Sequence, residues 1–211
     1  DGRIGPRPGV RDITPSGVAN GKLLGLGFSP VASDGDTPIF FIQGVNVWLF
    51  DPTDTGSLTA ASDDLAAPPA DTDTSHVLSK ETCRLIGDEV YFTVNDDKAY
   101  SLNCRDQTLT PLTDGQGTDI ELHRDRLFVC NGGVRVFYTD AASFGSFPSG
   151  NFFDVGAAYR IISVMSYRDA LVFFTQSGVW AMTGSSPADG TFRRISESLS
   201  PTDHGVVATN E

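Results

Sequence analysis

The side chains best suited to proton transfer or metal binding near neutral pH are three histidines, His76, His123 and His204. They lie far apart, and none has a second histidine four residues on, the spacing a helical zinc site needs. No G-x-S-x-G nucleophile turn is present; Thr14-Pro-Ser-Gly17 and Gly184-Ser-Ser-Pro187 read as plain turns. Carboxylates cluster at Asp34-Gly-Asp36, Asp63-Asp64, Asp71-Thr-Asp73 and Asp96-Asp97, yet none spells a calcium loop with its closing glutamate. Aspartate favours turns because it bonds its own backbone, so these groups read as solvated turn residues. A glycosidase needs two carboxylates converging on one pocket, and no acidic position recurs in a way that would supply them. Gly21, Gly25 and Gly27 do not follow G-x-G-x-x-G and open no strand-turn-helix unit. Cys83, Cys104 and Cys130 lack a C-x-x-C spacing and read as core or edge thiols. The sequence thus assigns no catalytic residue, cofactor or metal ligand.

What does recur is a charged pair, Arg124-Asp125 and Arg168-Asp169, and it recurs inside a longer repeat. Ile120–Cys130 and Val164–Phe174 match at an offset of 44 residues, with Leu127 aligned to Leu171 and His123 to Tyr167. Each copy ends at a polar turn, Asn131-Gly132-Gly133 or Thr175-Gln-Ser-Gly178. Each then returns as an apolar run, Val134–Tyr138 or Val179–Met182. Branched and aromatic residues around a glycine-bearing turn predict a β-hairpin. Upstream the unit reappears at Leu85–Leu102 and Pro38–Phe50, so hairpins are expected over 39–50, 85–102, 120–138 and 162–182. The markers Phe41, Val90, Leu127 and Leu171 are spaced by 49, 37 and 44 residues, so the loops absorb the insertions. A period of about 40–45 residues built from strands alone is that of propeller blades, and no apolar stripe at helical spacing competes with it. Arg124-Asp125 and Arg168-Asp169 are then turn residues entering a strand, with the aspartate bonding backbone amides and the arginine pairing between blades. The alternative is that both arginines face a common partner. Trp48 and Trp180 read as blade aromatics, and His123 as a blade position rather than a ligand.

The fold class that follows is all-β: a propeller-like array of antiparallel blades that need not close within these residues. Twenty-two glycines, 12 prolines and only 20% charged residues suit many short strands joined by many turns. A repeat running through most of 211 residues favours one domain, over 38–211, preceded by an extended Gly/Pro-rich segment over 1–37. The balance of 15 basic against 27 acidic residues, a net charge of −12, argues against a protein whose main task is to grip nucleic-acid phosphates. An acidic wall would let DNA pass without sticking, and it also keeps a protein soluble. The longest apolar runs are five or six residues, too short to span a membrane.

Two irregular stretches differ in kind. Residues 51–75 are poor in large apolar side chains and are expected to form a long exposed loop. Residues 140–151 carry Phe144 and Phe147 and run into Phe152-Phe153, too much apolar surface for a solvated tip. These four phenylalanines are expected to pack onto a blade or to contact a neighbouring subunit. Gly190–Ser198 reads as one more strand and Gly205–Ala208 as the start of another. The missing partner of that last edge would come from Arg7–Ile13, from another chain or from a continuation.

Several of these residues together resemble a family of tailed-bacteriophage virion proteins. They are Arg7-Pro-Gly9, Tyr138-Thr-Asp140 with Phe152-Phe-Asp-Val155, and Arg168-Asp-x-Leu-x-Phe-Phe174 with Gly178-Val-Trp180, Thr183-Gly184 and Phe192-Arg-Arg-Ile-Ser196. The family comprises propeller proteins of the phage neck and tail, of nozzle, hub and packaged-DNA-stabilising type. The resemblance covers residues 118–208 and, upstream, only Arg-Pro-Gly; family relatives are longer and close a full ring of blades. It implies a non-enzymatic structural role in the virion: a homo-oligomeric ring touching other tail or neck proteins, with genomic DNA passing nearby without specific binding. The competing class is a propeller with a central ligand site, a carbohydrate-binding module or glycoside-processing enzyme.

Overall fold

The computed structural model describes residues 23–28, 39–43, 46–50, 58–61, 78–83, 88–94, 98–156, 160–197 and 199. Every regular element among them is a β-strand. The first blade comprises β1 (Leu23–Phe28), β2 (Ile39–Gln43), β3 (Asn46–Phe50) and β4 (Leu58–Ala60). The second comprises β5 (Leu78–Cys83), β6 (Glu89–Val94), β7 (Lys98–Asn103) and β8 (Thr108–Gln116). The third holds β9 (Asp119–His123), β10 (Arg126–Cys130), β11 (Arg135–Tyr138) and β12 (Phe152–Asp154). The fourth holds β13 (Ile161–Tyr167), β14 (Ala170–Thr175), β15 (Gly178–Thr183) and β16 (Thr191–Ser196). Within each sheet the strands lie in chain order, antiparallel to their neighbours. The first strands pack in succession, β1 on β5, β5 on β9 and β9 on β13, which makes them the inner row. No comparable packing returns from β13 to β1 among the described residues, so the four blades form an open arc.

Each of the four expected hairpins contains the second and third strands of a blade. The repeat itself contains one more strand than two apolar runs imply. Ile120–Cys130 splits at Arg124-Asp125 into β9 and β10, with His123 opposite Arg126, and Val164–Phe174 splits at Arg168-Asp169, with Tyr167 opposite Ala170. A two-residue reversal without glycine is easily read as continuous strand; Arg124 and Arg168 take it with φ of 55° and 52°. Leu58–Ala60, inside the stretch expected to be loop, pairs with Trp48–Phe50 as β4. An outermost strand needs backbone partners on one side only, so a weakly apolar triplet suffices. Apart from Ala61, the rest of 51–75 lies outside the described residues, as do the Arg7–Ile13 segment and the strand expected from Gly205.

Three apolar clusters fill the three seams between blades, and alternation along each second strand divides its side chains between them. In β6, Val90, Phe92 and Val94 join Phe40, Ile42, Val47 and Leu49 of the first blade, while Tyr91 turns to the third. In β10, Leu127 and Val129 face the second blade, and Phe128 and Cys130 face the fourth. Both faces of these strands are buried, which is why they read as unbroken apolar runs. The aligned residues Leu127 and Leu171 each face the preceding blade, as a rotational repeat requires.

Thr139, fully buried at the end of β11, holds the third blade's corner. Its Oγ1 accepts the Leu127 amide at 3.1 Å, its amide donates to the Leu127 carbonyl at 3.0 Å, and its carbonyl accepts Arg126 Nη1 at 2.8 Å. Thr139→Val keeps the shape but orphans a buried amide. It is expected to cost about 1–3 kcal/mol in a urea melt.

Candidate functional site

Two of the buried polar side chains, Asp119 and His123, lie on the seam between the third and fourth blades. Asp119, at the start of β9, accepts the Val164 amide of β13 through Oδ2 at 2.9 Å. His123, at the end of β9, places Nδ1 2.7 Å from Ser166 Oγ. The Ile161 amide donates to the Gly133 carbonyl at 2.8 Å, and all three bonds cross from blade to blade. Asp119 and His123 are each only 1% exposed. His123 Nε2 and Asp125 Oδ1 are buried without a hydrogen-bond partner. Burial holds the His123 pKa below its ordinary value; the Gly184 backbone opposes this, Arg124 reinforces it, and Asp169 and Asp125 oppose it.

The repeated charged pairs occupy equivalent turns at the same end of adjacent blades. Neither Arg124 nor Arg168 forms an ion pair among the described residues. Arg168 instead lies 5.2 Å from the centre of the Tyr167 ring, and the Asp125 carbonyl accepts the Ala142 amide at 2.7 Å. The joining of blades expected of the arginines falls to Asp119 and His123. His123 and Tyr167, equivalent in the repeat, differ in burial: the histidine meets the next blade, whereas Tyr167 stays 36% exposed.

The aromatic segment over 140–151 is a strap from the third blade to the second. Thr113 of β8 donates its amide to the Gly145 carbonyl at 3.1 Å and accepts the Phe147 amide at 2.9 Å. Phe147 is 1% exposed, seated among Tyr91, Ala99, Leu112, Ile120 and Val129, and Phe144 lies on Tyr91 with ring centres 5.6 Å apart. Gly115 makes the seat possible, since a Cβ there would meet the Phe147 ring at 2.8 Å. Beside the strap opens a cleft of about 590 Å³ lined by Lys98, Leu112, Asp114, Phe137, Phe147 and Ser149.

The four phenylalanines expected at a subunit contact therefore separate. Phe147 is wholly enclosed by its own chain and Phe144 is half-buried against it. Phe153 packs in the seam, 5.8 Å from Phe173 and 5.1 Å from Phe192. Phe152 keeps 41% exposure beneath the Arg135 guanidinium, 4.2 Å from its ring centre, while Arg135 also pairs with Asp154 at 2.9 Å. Trp180 lies between Gly156 and Arg194 on the side facing the third blade. In the Gly184–Pro187 turn the Ser185 and Ser186 hydroxyls donate to Asp189 at 3.0 and 2.7 Å. These bonds hold the Asp189 carboxyl well below the ordinary carboxylate range.

Asp119, Ser166 and Thr113 were not legible as a site, because each meets a partner on another blade. Among the described residues no three His, Cys, Asp or Glu side chains gather as a metal site.

Repeated four-stranded antiparallel blades with their first strands packed in succession define a β-propeller. Solved structures similar to the chain bear this out. A chain of the mitotic checkpoint complex matches with a TM-score of 0.54 at 13% identity, over 90% of this chain and 59% of that one. The Cps50 (Swd1) β-propeller domain of Myceliophteria thermophila matches at 0.51 and 12%, over 77% and 58%. The N-terminal domain of Nup159 matches at 0.51 and 8%, over 82% and 48%. The chain thus spans about half to three fifths of these structures, and at such identities the likeness is one of fold. No family model and no curated protein matches the sequence.

Proposed function

We propose that this propeller is a structural component of a tailed-bacteriophage virion, part of a tail or neck ring of nozzle or hub type around the DNA path. The identity rests on the sequence resemblance, and one observation supports carrying it over: residues that bear the resemblance between Phe153 and Arg194 pack together. Phe153 from the second motif meets Phe173 and Phe192 from the third, and Arg194 lies 5.7 Å from the Trp180 ring centre. The resemblance therefore follows one packed unit, the third and fourth blades with their seam. A net charge of −12 suits a wall past which DNA moves without being held.

In this reading Phe152, exposed on the outermost strand of the third blade, is available to a neighbouring subunit, where aromatic rings are favoured. The test pairs light-scattering mass of the isolated protein with its detection in purified particles. A cyclic oligomer present in particles is expected, and Phe152→Ser is expected to lower the assembled mass while leaving the melting temperature unchanged. A monomer absent from particles that binds or turns over a glycan would replace this reading by the carbohydrate-directed one.

A further inference from the structure

The end of the seam where the repeated turns meet is built around one titratable ring. His123 is held by Ser166 on one side and leaves Nε2 buried without a hydrogen-bond partner. Its own turn brings Arg124 and Asp125, the β13–β14 turn brings Asp169, and the β15–β16 turn brings the Gly184 backbone. The Phe128 ring closes the apolar side, 6.3 Å between ring centres. Further along the seam the Asp119 carboxylate holds the Val164 amide. A neutral imidazole carries one donor and one acceptor nitrogen; Nδ1 meets Ser166 Oγ, and the Gly184 backbone favours the ring proton without completing a hydrogen bond to Nε2. A second ring proton turns both nitrogens into donors and places a positive charge beside Arg124, out of water.

We propose that His123 is a proton-operated latch between the third and fourth blades: neutral, it closes this end of the seam, and protonated, it parts it. Parting the turns hydrates the imidazolium and leaves the backbone ladders inside each blade intact, so local opening relieves the charge at less cost than unfolding does. The sign follows from linkage. Water-exposed histidine takes its proton near 6.5, and the buried ring takes it only at lower pH. The open form therefore binds more protons, so the closed seam is fully stable above that value and weakens as pH falls below it.

The test is hydrogen exchange on the intact chain at about pH 7.5 and about pH 5.5, corrected for intrinsic rates, together with NMR titration of the His123 ring. The Val164 amide, which crosses the seam, reports opening, and the Val129 amide, inside the β9–β10–β11 ladder, serves as the control. One proton taken up at an ordinary histidine pKa favours the open form by up to about tenfold over this range, so Val164 protection should fall by up to that factor relative to Val129. The fall should begin below the ordinary histidine pKa, level off where the ring of the folded protein titrates, and be absent in His123→Gln. Equal losses at Val164 and Val129, or ring titration with no change at Val164, would overturn the latch. Both outcomes are read on the unmodified protein, so the test stands even where the variant fails to fold. A fall that persists in His123→Gln would come from another group and would also overturn it.

Discussion

Gly178→Ala is expected to be among the most damaging single substitutions in the described blades. Gly178 opens β15 opposite Thr175 with φ of 132°, a region that side chains rarely enter. A Cβ there would lie 2.2 Å from the Ser196 carbonyl oxygen and 3.1 Å from its carbon, so β16 must move away. The turn has little freedom to yield. Thr175 Oγ1 donates to the Gly178 carbonyl at 2.9 Å and accepts the Ser177 amide at 3.3 Å, and Arg194 bonds the Ser177 carbonyl. Backbone strain contributes about 1–3 kcal/mol by itself, and displacing an outer strand adds to it. A loss of about 3 kcal/mol or more is expected, roughly 6–12 °C in melting temperature for a chain of this size. Gly150→Ala, where an added Cβ meets nothing within 4 Å, is the control and should stay within about 0.5 kcal/mol. Equal behaviour of the two variants would mean that β16 is free to shift.

Phe147→Ser should cost about 3–5 kcal/mol, the range for emptying a buried phenylalanine site, with a stranded hydroxyl added. The ring is 1% exposed and fills the seam between the second and third blades, so its removal leaves a cavity that Gly115 cannot fill. Phe144→Ser should cost less, because that ring is half-buried and rests mainly on Tyr91. Urea denaturation read beside assembled mass separates this account from a subunit contact. Loss of stability, with mass following only as the fold is lost, is expected; a stable fold with a reduced mass would return Phe147 to an interface between chains.

Most of the architecture was legible because it is local. The middle hairpin of each blade shows as two apolar runs around a polar turn, and the offset of 44 residues shows that one unit recurs. The inner strands β9 and β13 were hidden inside longer runs because Arg124-Asp125 and Arg168-Asp169 reverse the chain without glycine. The strand β4 was hidden for the opposite reason, since Leu58-Thr-Ala60 has too little apolar character to stand out. The strap was half legible: two phenylalanines in an irregular stretch had to be covered, but nothing nearby names Thr113 and Gly115, about thirty residues upstream, as the receiving surface.

By itself, then, the sequence determined strands, turns and their repetition, since alternation and turn chemistry act over a few residues and need no knowledge of the rest of the chain. Only the tertiary structure decided which face of each strand meets which blade, and so which polar groups are buried. Asp119 reaches Val164 across 45 residues and His123 reaches Ser166 across 43, one blade in each case. His123 and Tyr167 hold the same place in the repeat; the histidine is sealed against the fourth blade, and Tyr167 stands on the last of the described blades. A repeat makes local conformations equal; burial depends on what packs against each copy.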